Sequence, residues 1–139
     1  VPRTVAPGGY RRGVTRAARI ALAVYLLAGA SITLGPKPGR LFASGIRAFD
    51  GALSPQAIEA LANVALFVPI GFLLCLSFPA VPRWLMWGLC VAASAAVELY
   101  QYVLPGRDAT FRDLVTNGLG AALGVGLSWT LDRVLPRRS

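Results

Sequence analysis

Six side chains between positions 63 and 117 could do chemistry together: Asn63, Glu98, Gln101, Arg107, Asp113 and Asn117. Glu98 and Asp113 could divide acid and base roles if their surroundings push their acidities apart. Arg107 offers a planar guanidinium that suits a phosphate or a carboxylate, Glu98 and Asp113 included. Asn63, Gln101 and Asn117 carry amides that donate and accept. The chain has no histidine, so imidazole catalysis is excluded and a metal would have to rely on carboxylates and two cysteines. Cys75 and Cys90 sit inside apolar runs, where a thiol behaves as a small hydrophobe. No metal, cofactor or disulfide framework is expected.

The background makes these residues conspicuous. The 139 residues are 55% hydrophobic and 14% charged, against about 25% charged in an average soluble chain, and the mean hydropathy is +0.60. This composition fits a membrane protein of one domain. The net charge is +8, but the arginines flank the apolar runs instead of lining one surface, so nucleic acid is not an expected partner. A carboxylate near hydrocarbon costs roughly 2.5–3.5 kcal/mol at a helix centre and less toward the interface. Glu98 therefore needs either a partner or a task.

The expected fold is all-α, a four-helix transmembrane bundle with helices at about 18–34, 55–78, 84–104 and 114–131. Each run is close to the roughly 17–25 residues that cross a bilayer, and Gly35-Pro36, Pro79, Pro82, Pro105-Gly106 and Pro136 mark the boundaries. Residues 1–16 read as a disordered basic tail, 17–133 as the transmembrane domain and 134–139 as a second basic tail. With both termini cytoplasmic, nine Lys and Arg fall inside and five outside, the bias expected of an inserted chain. A lesser reading takes the Arg-rich start, the first apolar core and Ala28-Gly29-Ala30 as a cleaved signal peptide. Ser54-Pro55 suits the start of the second helix, and Pro69 is expected to kink it. Trp84, Trp87 and Trp129 read as interfacial anchors.

These elements would bring the polar residues together. Ser94, Glu98 and Gln101 share one side of the third helix, and Asn117, Gly120, Gly124 and Ser128 one side of the fourth. Asn63, Phe67 and Gly71 line the second. Gly120-x-x-x-Gly124 is a small-residue packing motif, within the chain or between copies in a homo-oligomer. Turned inward, the three stripes form a polar pocket open to the outside, with Arg107 and Arg112 over it. Thr110-x-x-Asp113 fits a capping box at the fourth helix.

Asn63-x3-Phe67-x-Pro69-x-Gly71-Phe72-Leu73, then Glu98-x2-Gln101, then Arg107-x5-Asp113-x3-Asn117-x2-Gly120-x3-Gly124 resembles the VanZ-like family of bacterial membrane proteins. The family takes its name from an accessory protein linked to teicoplanin resistance. The resemblance implies a multi-pass protein of the bacterial cytoplasmic membrane. It also implies that Asn63, Glu98, Gln101, Arg107, Asp113 and Asn117 are the family's polar positions, and it supplies no catalytic role for them. Three functions are open. The pocket binds a lipid headgroup, a lipid-linked envelope precursor or an amphiphilic compound, possibilities that include an envelope or glycopeptide response. Alternatively Glu98 and Asp113 act on a lipid-linked substrate, or Glu98 carries a proton in a small transporter.

Overall fold

A computed structural model describes residues 7–33, 51–103 and 110–135. They form four helices: α1 (Pro7–Thr33), α2 (Pro55–Ser77), α3 (Arg83–Tyr102) and α4 (Phe111–Val134). The first begins ten residues ahead of the expected domain boundary. Residues 7–16, expected to be a disordered tail, are helical. A long apolar helix extends at little cost once nucleated, because each added residue brings one more hydrogen bond. Expectations for 1–6 and 136–139 lie outside the described residues.

Local signals account for the other helix ends. Ser54 caps α2 by accepting from the Ala57 N–H at 3.2 Å, with Pro55 in the first turn. Thr110 caps α4 by accepting from the Asp113 N–H at 3.3 Å. Pro69 lies inside α2, which continues through it to Ser77. Proline removes the amide that would bond to Ala65. One residue further on, the Tyr25 hydroxyl of α1 donates to the Leu66 carbonyl at 3.0 Å.

Among the described residues three helices are long and apolar enough to cross a membrane: Arg12–Ser31 within α1, all of α2 and all of α4. The third expected span, 84–104, which corresponds to α3, is not among them. Its 20 residues measure about 30 Å at 1.5 Å per residue, a bilayer core's thickness, but Arg83, Glu98, Gln101 and four Trp and Tyr residues lower its apolarity.

The bundle is built on α2 and α4, which run parallel and meet closely, with α1 against α2 and α3 against α4. Gly71, Gly120 and Gly124 permit this approach. A Cβ on Gly120 would overlap the Val64 carbonyl oxygen, one on Gly124 that of Val68, and one on Gly71 that of Ala121. Burial follows side-chain size in an order that suits lipid. The largest fully buried side chains are Ser77, Ser94 and Ser128, while Leu27, Trp84 and Leu99 stand about 70% exposed. Helices in hydrocarbon gain nothing by hiding leucine from lipid, so they bury small residues and bring backbones together.

Candidate functional site

The polar residues gather where α2 begins, α3 ends and α4 begins. Asp113 is buried and lies in the first turn of α4, where a carboxylate complements the helix dipole. It accepts from Asn63 Nδ2 at 2.9 Å and from the Thr110 hydroxyl at 2.7 Å. Only half of the expected capping box forms. The Thr110 hydroxyl bonds the Asp113 N–H, but the Asp113 carboxylate turns to Asn63 instead of the Thr110 backbone N–H. That N–H is directed to Glu98. The cap of α4 and the end of α3 are therefore tied through one carboxylate each.

Glu98 is the unbalanced member. Asp113 and Glu59 both lie within electrostatic reach of it, and its Oε2 is buried without a hydrogen-bond partner among the described residues. A buried acceptor left unpaired costs about 1–3 kcal/mol, more when charged. One turn deeper, Asn117 Nδ2 donates to Ser94 Oγ at 2.8 Å, joining α4 to α3, while Asn117 Oδ1 is buried and unpartnered among the described residues. Two buried acceptors at this end thus have no donor among the described residues.

Asn63, Glu98 and Asp113 are brought together, with Asn117 a turn below. Gln101 is half-buried at the end of α3 with no side-chain bond to another described residue. Arg107 lies outside the described residues, whereas Arg112, expected over the site with it, is bonded to Glu59. Gly71, Gly120 and Gly124 form the α2–α4 contact, and Pro69 lies between Val64 and Gly71 on the same helix. Because the glycine stripe is taken up within the chain, an oligomer would need another face.

Sequence reasoning missed Glu59, whose carboxylate accepts from Arg112 at 2.6 Å, with Arg112 Nε 4.0 Å from Asp113. Glu59 and Asn63 are four apart on α2, so helical spacing was the available signal. A second polar group at the opposite end was also missed. Arg83 of α3 pairs with Asp132 of α4 beside Cys75, Pro79 and Val81, around a cavity of about 30 Å³, room for a water or two. There Arg19 of α1 donates to the Ser77 carbonyl at 3.1 Å and lies over Phe78. The Trp87 indole N–H donates to the Gly118 carbonyl at 3.0 Å. Trp129 stacks with Arg133 at 3.6 Å, as an interfacial pair would.

The profile of the VanZ/LLP1 family matches residues 19–132, which takes in nearly all of the bundle and both polar groups. The chain belongs to the VanZ/LLP1 family. No curated protein and no solved structure matches it. In this VanZ/LLP1 protein the match takes in α1 from Arg19 onward, which the sequence motifs had left out, and with the apolar helices it makes the chain a membrane protein. Among the described residues no three His, Cys, Asp or Glu side chains are grouped to hold a metal ion.

Proposed function

We propose that this protein binds the polar head of a lipid, a lipid-linked envelope precursor or an amphiphilic compound at the end formed by Asn63, Glu98, Asp113 and Asn117. The membrane is the bacterial cytoplasmic membrane, the termini are cytoplasmic, and the site faces outward at headgroup level. The positive-inside bias of the chain supports that orientation. The observation that carries the reading is the buried Oε2 of Glu98, unpartnered among the described residues, beside two further carboxylates. An ionisable group inside a membrane protein is by default a functional one, and this one keeps an unfilled acceptor instead of a helix-fastening ion pair within the described set. Family membership supports a role in the envelope, including a response to glycopeptides.

The test is lipid retention. Full-length protein extracted gently from its membrane should carry a defined set of lipids, identified by mass spectrometry. Glu98→Gln should lose most of that set while the protein stays monodisperse. An unchanged lipid complement in a folded Glu98→Gln variant would refute the reading. Arg107→Ala, measured in the same way, decides whether that arginine belongs to the site.

A further inference from the structure

Resting on the head-group reading above, we infer that the bound head is an ammonium group carrying N–H donors. The charge balance and two unpartnered buried acceptors both point there. Among the described residues the cluster sets Glu59, Glu98 and Asp113 against a single cation, Arg112. Arg112 is already committed to Glu59, and its Nε, the cluster's one buried donor without a partner, faces Asp113 from 4.0 Å. The other identified donors, the Gln101 amide and the outer N–H groups of Arg112 apart, are engaged. Asn63 Nδ2 and the Thr110 hydroxyl go to Asp113, Asn117 Nδ2 goes to Ser94, and the Thr110 amide goes to Glu98.

Two acceptors are left, Glu98 Oε2 and Asn117 Oδ1. Asn117 is 8% exposed and lies one helical turn below Asp113, with its amide nitrogen held by Ser94 one turn below Glu98. Among the described residues a phosphate entering this end would meet three carboxylates against one cation already paired with Glu59. A primary ammonium brings a positive charge for the carboxylates and three donors for the two unpartnered acceptors. A quaternary ammonium brings the charge alone. The group could come from an aminophospholipid or from a free organic amine.

Full-length protein in nanodiscs, titrated with phosphatidylethanolamine, phosphatidylcholine and phosphatidylglycerol of matched acyl chains and read by native mass spectrometry, tests this. Ethanolamine lipid should be retained at least tenfold better than glycerol lipid and several-fold better than choline lipid. Glu98→Gln should bring ethanolamine lipid down to the glycerol-lipid level. Glu59 is exposed, so Glu59→Gln endangers folding little. It frees Arg112 and should lower the ethanolamine-to-glycerol ratio several-fold. Displacement by free ethanolamine supports the same chemistry with a soluble source, and no displacement with selectivity intact supports the lipid. Equal retention of ethanolamine and glycerol lipids, both lost in Glu98→Gln, overturns the ammonium assignment and leaves the head-group reading standing. Retention unaffected by Glu98→Gln overturns both. An unchanged ratio in Glu59→Gln counts against the ammonium alone.

Discussion

At the scale of single residues, Asp113 and Glu98 are opposites. Asp113 holds two side-chain donors and its own helix cap, so its role is structural as well as electrostatic. Asp113→Asn would put an amide donor in place of one of the two acceptor oxygens that serve Asn63 Nδ2 and the Thr110 hydroxyl, and should destabilise the protein by about 1–3 kcal/mol. Adding Asn63→Asp reverses the donor and acceptor. The double variant should recover much of the loss, read as thermal stability in detergent. Glu98 has an unfilled buried oxygen among the described residues, and Glu98→Gln should leave stability unchanged or raise it while removing lipid retention, the signature of a site kept for function. A large fall in stability would instead mark Glu98 as a helix fastener. The sequence exposed both carboxylates through their apolar surroundings. It did not show that the Thr110 amide passes to Glu98, since that depends on how closely the end of α3 approaches the start of α4.

At the scale of helices, the α2–α4 contact depends on having no side chain at three positions. Gly124→Ala should destabilise by about 1–3 kcal/mol, as overpacked interiors do, because its Cβ would overlap the Val68 carbonyl. Gly126→Ala, where a Cβ meets nothing within 4 Å, should be neutral or slightly stabilising, and detergent unfolding midpoints compare the two. At the far end, Arg83 and Asp132 tie the start of α3 to the end of α4. Loss of either should loosen the hairpin, and the double loss should cost less than the sum of the two. Helix number, the Gly120–Gly124 stripe and the Thr110 cap are legible as periodicities and boundary residues. The Arg83–Asp132 pair is not, because its members lie 49 positions apart and belong together only when α3 folds back along α4. The helical reach of α1 back to Pro7 was hidden by a Gly-, Pro- and Arg-rich composition that usually marks irregular chain.

At the scale of the molecule, large apolar side chains face outward and serines are buried, and the two polar groups lie at opposite ends of the bundle. The proposed orientation puts the Glu98 end outside. In a background with Cys75 and Cys90 replaced by alanine, Ala52→Cys should react with an impermeant thiol reagent in intact cells, and Ala80→Cys only after permeabilisation. The reverse pattern would invert the protein. The central claim, that the Asn63–Glu98–Asp113–Asn117 end holds a lipid or amphiphile head, is tested most directly by photo-crosslinking. A lipid analogue with its photoreactive group on the head, activated in native membranes, should mark peptides containing Glu98 and Asn117. Glu98→Gln should abolish that labelling without changing the amount of protein in the membrane. Labelling confined to the Arg83–Asp132 end, or equal in wild type and Glu98→Gln, would contradict the account.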